Sequence, residues 1–405
     1  MSVERTALII GAGMAGVQTA VELRRQGWRG PLTLVGDEPH PPYDRPPLSK
    51  AVLLGAAEGG EPVDTRFDVD FAALGVDLRL DVRAQALHTD DHVVVTSAGR
   101  IPYDRLVLAT GAYAVALPGS VGLPGVYPLR TLDDAAALRP VLDRRLHVVV
   151  IGAGWIGAEF ATAARQAGCE VTVVEAADRP LAGVLPASVT APMRAWYEEA
   201  GVDLRTGSPV AALEPGSVVL ADGTRLPAAA VVVGIGARPA NGWVAGSAVT
   251  LDPDGAVLAD ERLRTTAPDV YAVGDCASFP SARYGRRLLV HHWDNAMQGP
   301  RTAAANLLGG DEVYDPVPYF WSEQFGRFVQ YAGDHAAGDT MLARGDQESP
   351  AWSVLWLRGE TLVALLAVGR PRDMAQARKL IARAAVLDPA LAADPAVQLK
   401  SAVRQ

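Results

Sequence analysis

The sequence predicts an α/β fold that contains two repeated βαβ units and ends in a separate α+β domain. The first observation behind this prediction is that the pattern G-x-G-x-x-G occurs twice, at residues 11–16 and 152–157. The second is that each copy follows a short apolar run and precedes a helical pattern and another apolar run. The third is that these patterns stop near residue 317, where short strand-like runs precede a helical tail.

The first βαβ unit opens with the apolar residues 6–10, which predict a buried strand directly before the glycines. A helix is predicted over about residues 15–26, because its pattern ends at a glycine, Gly27. Leu32–Val35 predicts the second strand, and an acid, Asp37, follows it.

The second unit repeats this order. An apolar run at residues 147–151 precedes the glycines, and a helix is predicted over about residues 156–167, again ending at a glycine, Gly168. Val171–Val174 predicts the second strand, and Glu175 follows it. The two copies therefore predict two nucleotide-binding domains of the Rossmann type.

Each glycine has a mechanical role in such a unit. The first permits the tight strand-to-helix turn, the second lets a pyrophosphate approach the backbone, and the third lets the helix pack close to the strand. The helix N-terminus adds free N–H groups and about half a positive charge. The acid after the second strand would accept hydrogen bonds from a ribose. The predicted glycines are Gly11, Gly13 and Gly16 in the first unit, and Gly152, Gly154 and Gly157 in the second.

Two such units in one chain indicate two different dinucleotides, since an enzyme that uses NAD alone needs one. Glu175 would repel a 2′-phosphate, which favours NADH over NADPH. Arg179 lies nearby in sequence and would weaken that preference if it faced the ribose, although a surface position is the simpler expectation for it.

The remaining segments complete the domain prediction. Strand signals near residues 93–109 and 218–236 predict that each nucleotide domain is closed by a similar strand-turn device. After residue 317, strands are predicted at 327–332, 353–358 and Thr361–Val368, and a helical tail from Arg372. The predicted domains are residues 1–112 with 239–316, residues 113–238, and residues 317–405.

Composition and cysteine content exclude several classes of function. The 405 residues are 49% hydrophobic and 20% charged, as in folded proteins, and the net charge of −9 argues against general nucleic-acid binding. No apolar run reaches the roughly 18 residues of a transmembrane helix. Cys169 and Cys276 form no Cys-x-x-Cys pair, so we predict no cysteine-ligated metal. Two free thiols fit a reducing compartment, and we expect a cytoplasmic protein.

Several longer motifs resemble one family. They are PPLSK at residues 46–50, LVLATG at 106–111, LRTLD at 129–133, YAVGDC at 271–276 and FWSEQ at 320–324. Together with the glycine loops, they resemble the FAD-dependent ferredoxin reductases, a family that includes putidaredoxin reductase, rubredoxin reductase and the reductase components of aromatic-ring dioxygenases. The resemblance covers almost the whole chain and implies a glutathione-reductase-like arrangement in which the first unit binds FAD and the second binds NADH.

The resemblance also implies site residues. Those expected at FAD, besides the first glycines, are Ala15, Asp37, Arg45, Lys50, Val82, Arg130, Asp275, Trp293 and Trp321. Those expected at NAD, besides the second glycines, are Trp155, Ile156, Glu159 and Glu175. An alternative for Asp275 is an N-cap of the segment that follows it. We hypothesise that Trp155 covers the flavin face and swings aside for the nicotinamide.

Lys50 and Glu159 are the expected catalytic pair. The family places these residue types near the flavin N5, where they bridge the FAD and NAD domains. A cation there would stabilise negative charge on reduced flavin, and the carboxylate would keep the cation in position. The alternatives are an ordinary surface lysine and an ordinary exposed helix residue.

The implied activity is electron transfer from NADH through FAD to a 2Fe-2S ferredoxin, which would serve a cytochrome P450 monooxygenase or a Rieske dioxygenase. The chain lacks the cysteine pair through which glutathione-reductase-like enzymes pass electrons. Ferredoxins are typically acidic, so we expect a basic docking surface that includes Arg301, Arg378 and Lys379. The alternatives are an NADH-dependent reductase of a small molecule or rubredoxin, and an FAD- and NADH-binding redox sensor.

Overall fold

The structure is a computed structural model that describes residues 5–55 and 63–404. These residues form two compact units. The first unit contains the chain up to Asp44, Thr65–Tyr113 and Arg238–Phe320, and the second contains Arg45–Asp64, Ala114–Ala237 and the chain from Trp321 onward. The predicted domain bounds at residues 112, 238 and 316 stay predictions.

The helices and strands follow in chain order. The helices are α1 Met14–Arg25, α2 Ala51–Leu54, α3 Leu132–Asp143, α4 Trp155–Gln166, α5 Ala187–Thr190, α6 Arg194–Glu199, α7 Trp293–Leu307, α8 Pro371–Ala382 and α9 Pro389–Ala393. The strands up to the second glycine loop are β1 Ala7–Ile10, β2 Leu32–Val35, β3 Val76–Arg79, β4 Ala84–His88, β5 Val93–Thr96, β6 Gly99–Pro102, β7 Arg105–Leu108, β8 Ala112–Ala114, β9 Val126–Tyr127 and β10 Val148–Ile151. The later strands are β11 Val171–Val174, β12 Asp203–Arg205, β13 Val210–Glu214, β14 Ser217–Leu220, β15 Arg225–Pro227, β16 Ala230–Val233, β17 Ala237–Pro239, β18 Val257–Leu258, β19 Val270–Ala272, β20 Ala277–Ser281, β21 Arg286–Leu289, β22 Tyr319–Gln324, β23 Arg327–Gly333, β24 Thr340–Arg344, β25 Trp352–Arg358 and β26 Thr361–Val368.

A parallel sheet forms the centre of the first unit, in the order β3-β2-β1-β7-β19. All four side chains of β1 are buried, which is why its sequence is continuously apolar rather than alternating. The second unit contains a parallel sheet of the same design, in the order β12-β11-β10-β16-β9, and β10 is likewise fully buried. The two predicted βαβ units are therefore confirmed.

The glycines fix where the two helices begin and end. Each helix starts directly after a glycine N-cap, Gly13 or Gly154, which is one residue earlier than the sequence pattern predicted. Each ends before a glycine with positive φ, Gly27 at 104° or Gly168 at 89°, a conformation that glycine adopts without steric cost.

A small antiparallel sheet accompanies each parallel one. In the first unit it has the order β4-β5-β6, and in the second the order β13-β14-β15. Each leads into the strand that returns to pair with the first strand, β7 or β16. The predicted closing device is therefore confirmed in both halves.

The C-terminal sheet has the order β22-β23-β26-β25-β24. Three of its strands were predicted, but β22 and β24 were missed. β24 is an edge strand with mostly exposed side chains, so its sequence lacks the apolar signal of a buried strand. Helix α8 packs against β26 and β23, and buries Met374, Ala377 and Leu380. The two nucleotide-type sheets and this antiparallel sheet confirm the predicted fold class.

A buried ion pair joins this sheet to α8. Arg344 Nε lies 2.9 Å from Asp373 Oδ2, and the two side chains are only 1% and 6% exposed. The Arg344 guanidinium also donates to the carbonyls of Ala392, Asp394 and Val397, so it ties the C-terminal residues to the sheet.

None of the helices within residues 5–55 and 63–404 has the length and hydropathy needed to cross a bilayer.

Replacing Arg344 with Met should lower stability by about 3–5 kcal/mol, because it leaves the Asp373 carboxylate buried without its full set of partners. The measurement is the midpoint of thermal unfolding. Arg372→Met is the matched control, since Arg372 is exposed on α8, the helix that carries Asp373. Equal midpoints for the two variants would contradict this assignment.

Candidate active site

The first glycine loop is shaped by backbone contacts on two of its three glycines. Gly11 has φ of 111°, and a Cβ there would lie 2.2 Å from the Ala109 carbonyl oxygen. A Cβ on Gly16 would lie 1.8 Å from the Gly11 carbonyl oxygen. A Cβ on Gly13 would meet nothing within 4 Å. Packing therefore requires the first and third glycines, whereas the second borders open space.

The second loop repeats the same three environments. A Cβ on Gly152 would lie 2.4 Å from the Gly234 carbonyl oxygen, and a Cβ on Gly157 would lie 2.1 Å from that of Gly152. The nearest atom to a Cβ on Gly154 would be 3.9 Å away. The middle glycine again leaves room beside the backbone.

Both helix N-termini are suited to bind an anion. Gly13 and Gly154 cap α1 and α4 with nearly identical torsions, φ of −79° and −80° and ψ of −171° and −172°. Neither helix has a side-chain cap or an acid in its first turn. The first N–H groups therefore lack helical partners and carry the positive end of the helix dipole. Open space beside such groups fits a pyrophosphate in both loops.

The acid takes a different position in the two units. β2 ends at Val35 and β11 ends at Val174, in the same register with β1 and β10. The next residue is Gly36 in the first unit and Glu175 in the second. The first acid, Asp37, therefore lies one position further from its strand, and it is exposed.

Close packing explains the glycine at position 36. A Cβ there would lie 2.7 Å from the Ala12 Cβ in the glycine loop. The first loop thus has no room for a side chain at the position where the second loop carries its acid.

Glu175 binds the second glycine loop directly. Its Oε2 accepts a hydrogen bond from Ala153 N at 2.8 Å, and its Oε1 accepts one from Ala177 N at 2.9 Å. Each carboxylate oxygen has a second lone pair for a ligand hydroxyl. Arg179 pairs with Asp178 at 2.7 Å.

In the first unit, the turn that carries Asp275 packs between two helix N-termini. A Cβ on Gly274 would lie 2.8 Å from the Cβ of Ala15 in α1 and 3.7 Å from that of Ala296 in α7. Asp275 lies in a 3-10 turn that leads into β20, and the next helix, α7, is capped by His292. The alternative that Asp275 caps a following helix is therefore wrong.

Two more predicted residues have defined places in the first unit. Trp293, the first residue of α7, donates from its indole Nε1 to Asp44 Oδ1 at 2.8 Å. Val82 donates its backbone N–H to the Gly36 carbonyl at 2.9 Å, next to the end of β2. Ala15, Val82, Gly274 and its neighbour Asp275 thus lie around the carboxyl ends of the parallel strands, where α/β sheets bind ligands.

His292 is a residue of this region that the sequence did not indicate. Its ring stacks on Phe320 at a centroid distance of 4.3 Å. Burial lowers the pKa of His292 to about 4, and His291 contributes to the shift while Asp275 opposes it. The imidazole is therefore neutral at pH 7.

In the second unit, Lys50 and Glu159 form an ion pair. Lys50 Nζ lies 2.7 Å from Glu159 Oε2, and the side chains are 21% and 5% exposed. Ser49 Oγ donates to the same carboxylate oxygen at 2.5 Å, and Ser322 Oγ donates to Oε1 at 2.7 Å. The alternatives of a surface lysine and an exposed helix residue are therefore wrong.

Local structure explains how Lys50 reaches this carboxylate. It follows the 3-10 turn Pro46–Ser49, whose two prolines pre-set φ for the turn. That turn packs against α4, the helix that carries Glu159. A buried carboxylate with a cation and two hydroxyl donors has the partners that burial of a charge requires. Ser49 belongs to the PPLSK motif and Ser322 to the FWSEQ motif, but the sequence did not indicate that either serine bonds to Glu159.

Two predicted arginines lie together in the second unit. Arg45 Nη1 donates to the Arg130 carbonyl oxygen at 2.8 Å. The backbone N–H of Arg130 donates to Asp134 Oδ2, within the capping box that starts α3 at Thr131. The capped helix therefore fixes the segment that receives Arg45.

The other predicted residues of the second unit lie at the surface or partly buried. Trp155 and Ile156 are the first two residues of α4, and Ile156 is 42% exposed. Trp321 lies in β22 and is half-buried. Their roles at the cofactors stay predictions.

The predicted docking residues fall in both units. Arg301 is exposed on α7 in the first unit, whereas Lys379 is exposed and Arg378 half-buried on α8 in the second. Arg372, near the start of α8, and Arg383, directly after its end, are also exposed. Lys379 and Arg383 are four positions apart, the spacing of neighbours on one helix face, whereas Arg372 lies seven positions before Lys379.

No group of three or more His, Cys, Asp or Glu side chains within residues 5–55 and 63–404 is arranged to hold a metal ion.

Comparisons with known families cover nearly the whole chain. Residues 5–300 match the model of the pyridine nucleotide-disulphide oxidoreductase family. Residues 319–403 match the reductase C-terminal model.

Curated relatives match over nearly their full lengths. The chain is 37% identical to putidaredoxin reductase CamA of Pseudomonas putida, over 100% of this chain and 98% of the relative. It is 39% identical to rhodocoxin reductase of Rhodococcus erythropolis, over 98% and 94%. It is 38% identical to the ferredoxin--NAD(+) reductase component of the p-cumate 2,3-dioxygenase system of Pseudomonas putida, over 97% of each.

Two solved structures match the fold of this chain over nearly its whole length. The crystal structure of Fdr9 matches with a TM-score of 0.90 and 44% identity, over 98% of this chain and 99% of that one. The reductase in the covalent putidaredoxin reductase–putidaredoxin complex matches with a TM-score of 0.92 and 35% identity, over 99% and 98%.

Replacing His292 with Asn should flatten the acid side of the stability profile. The unfolded chain binds this proton near pH 6.5 and the folded chain only near pH 4, so wild-type stability falls as pH drops through that window, by at most about 1.4 kcal/mol per pH unit from this group. The measurement is the thermal midpoint between pH 7.5 and 4. His88→Asn, at an exposed position on β4, should keep the wild-type slope. A wild-type slope in His292→Asn would show that another group causes the loss.

Proposed function

The chain belongs to the pyridine nucleotide-disulphide oxidoreductase family and, as its motifs predicted, to the FAD-dependent ferredoxin reductases within it, and from this premise we propose that it passes electrons from NADH through FAD to a 2Fe-2S ferredoxin. It is an oxidoreductase, and the ferredoxin would serve a cytochrome P450 monooxygenase or a Rieske dioxygenase. The observation that carries the proposal is the pair of matching glycine loops, each with open space beside its middle glycine.

The residues that the family resemblance assigns to FAD would bind this cofactor. The bound group supplies a redox centre that takes up hydride and releases electrons one at a time. The N–H groups behind Gly13 would bind its pyrophosphate, and Asp37 would accept hydrogen bonds from its ribose. Asp275 would accept from the ribityl chain, and Val82 and Trp293 would line the ring system. The cations Arg45 and Arg130, together with Trp321 and Lys50, complete the proposed set.

The second unit would bind NADH. The N–H groups behind Gly154 would bind the pyrophosphate, and Glu175, already oriented by Ala153 and Ala177, would accept from the adenosine ribose. A 2′-phosphate at that carboxylate would be repelled, which supports NADH as the substrate. Trp155 and Ile156, which follow the loop, would border the dinucleotide.

Lys50 and Glu159 would tune and organise the redox centre. The Lys50 ammonium, held at 2.7 Å from the Glu159 carboxylate, would favour negative charge on the reduced centre. Hydride transfer needs no protein nucleophile, so these residues would act through position and electrostatics.

The two cysteines give no support to a disulfide route. Both Cys169 and Cys276 are free and buried. Burial raises the pKa of Cys276 to about 11, and its thiol lies against the carbonyls of Leu108 and Val273. A thiolate nucleophile is therefore disfavoured, which supports direct release of electrons to the iron–sulfur partner. Free buried thiols also support the cytoplasm as the site of action.

Electrostatic docking would guide the acidic partner. The exposed cations of α7 and α8 supply local positive charge on a chain whose net charge is −9. Arg301, Arg378 and Lys379 are the proposed contact residues.

Blocking each middle glycine tests the two dinucleotide sites separately. Wild-type protein should be yellow with one FAD, lose its flavin absorbance under NADH without oxygen, and then reduce a 2Fe-2S ferredoxin. Gly13→Val should keep the far-UV circular dichroism but lose FAD, because its side chain fills the open space of the first loop. Gly154→Val should keep FAD and weaken NADH binding by about 100-fold or more.

Gly242→Val is the matched control for both variants. Gly242 is exposed, has an ordinary φ, and its Cβ would also meet nothing within 4 Å, but it lies in a separate 3-10 turn. It should bind FAD and NADH like wild type. Full FAD content in Gly13→Val, or unchanged NADH affinity in Gly154→Val, would overturn the assignment of the loops.

Reversing charge at the docking surface should weaken ferredoxin reduction. Arg301→Glu and Lys379→Glu should each lower kcat/KM for a ferredoxin by about three- to tenfold at low ionic strength, and the difference from wild type should shrink with added salt. Arg100→Glu, at an exposed position on β6, is the control. Steady-state kinetics from about 20 to 300 mM salt measure this effect, and an identical salt dependence in all three variants would remove the docking role.

A further inference from the structure

The turn between β22 and β23 has an unusual backbone. Two residues, Phe325 and Gly326, connect these neighbouring strands, with φ of 50° and 76°. Positive φ at both positions is the conformation of a tight hairpin turn that normally carries Asn-Gly. An aromatic residue there is uncommon, so contacts elsewhere must stabilise it.

Those contacts come from the nucleotide-binding part of the same unit. Phe325 donates its backbone N–H to Thr162 Oγ1 on α4 at 2.9 Å, and Thr162 donates in turn to the Ala158 carbonyl. The Phe325 ring packs on Tyr197 of α6 at a centroid distance of 4.6 Å. The hairpin turn is therefore attached to two helices of that part.

The residue after the turn adds a further attachment. Arg327 Nη2 lies 2.5 Å from Glu199 Oε2, and its guanidinium lies 5.0 Å from the centroid of the Trp196 ring. The beginning of β23 is thus held against α6 by an ion pair and a cation–π contact.

The strand before the turn carries Ser322, which is 1% exposed. Its hydroxyl accepts a hydrogen bond from Gln324 Nε2 at 3.1 Å and donates to Glu159 Oε1 at 2.7 Å. Because a hydroxyl has a single hydrogen, the bond from Gln324 leaves that hydrogen directed at Glu159.

The two oxygens of Glu159 have separate partners. Oε2 receives Lys50 and Ser49, whereas Oε1 receives Ser322. Rotation of the carboxylate would break the bond to Ser322, so this bond fixes the direction in which Oε2 holds the ammonium. Without it, the Pro46 carbonyl, 3.2 Å from Lys50 Nζ, is the competing partner for the cation.

We propose that Ser322 is a positioning residue for the hydride step: the C-terminal sheet, attached through the Phe325-Gly326 turn, sets the orientation of Glu159 and through it the place of the Lys50 cation. This inference rests on the proposed function, from which it takes the role of Lys50 at the redox centre. It makes the C-terminal sheet part of the machinery that tunes electron transfer.

Ser322→Ala in the FAD-loaded enzyme tests the proposal. Stopped-flow reduction by NADH should show a rate constant about tenfold lower with little change in NADH affinity. The flavin midpoint potential should become more negative by an amount that corresponds to about a tenfold change in the equilibrium, about 30 mV for a two-electron couple. Ser322→Thr, which keeps the hydroxyl, should restore both values to within about twofold of wild type.

Ser353→Ala is the matched control. Ser353 is fully buried in β25 of the same sheet and donates to a carboxylate, Asp373 Oδ2, at 3.1 Å, but it does not contact Glu159. It should lower the unfolding midpoint about as much as Ser322→Ala and leave potential and hydride rate unchanged. Matching shifts in the two alanine variants would reduce Ser322 to a stabilising residue and overturn the proposal.

Thr162→Val separates the attachment of the turn from the serine itself. It removes the acceptor of the Phe325 N–H while Ser322 and Glu159 remain, so it should shift the flavin midpoint potential in the same direction as Ser322→Ala, by a smaller amount.

Wild-type potential and hydride rate in Ser322→Ala would refute the positioning role even if FAD and NADH react normally. Failure to bind FAD in wild type would instead refute the proposed function.

Discussion

The structure depends on a helix that begins immediately beyond the end of a buried parallel strand. Such a junction has room for backbone alone, which is why a Cβ on Gly16 or Gly157 would lie within 2.1 Å of a carbonyl oxygen in its own loop. The same closeness brings the first N–H groups of the helix, for which the helix itself has no carbonyl partner, to the end of the strand. Folding thus produces, in each of the two units, a helix N-terminus whose geometry suits an anion.

In the second unit, the hydrogen bonds that stabilise the buried Glu159 carboxylate also hold the Lys50 ammonium in place. Glu159 is buried, and its carboxylate is bonded by a lysine and two serines from two segments of the chain, residues 49–50 and Ser322. A buried carboxylate without such partners would destabilise the fold, so the network is required for stability as well as suited to chemistry. Stability and the placement of Lys50 therefore rest on the same bonds.

Sequence patterns predicted the parts of the molecule that repeat or are periodic. The βαβ units and the closing hairpins were predictable because burial on both faces gives continuous apolar runs and because glycines mark the turns. Long-range pairs were not. Ser322 meets Glu159 across 163 positions, and Trp293 meets Asp44 across 249, and neither pair leaves a local pattern. Edge strand β24 was missed because its exposed side chains carry no apolar period.

The close approach of Ala12 to Gly36 restricts which residues the first unit can accept after its second strand, and the second unit does not have this restriction. If the halves descend from one duplicated unit, the second could lose its acid after β11 by a change that needs no new space. The first could not regain an acid at the matching place without enlarging its loop, since a single methyl group of Ala12 already occupies that volume. Divergence of the two βαβ units at this position would therefore be easier in one direction than in the other, because of a single alanine.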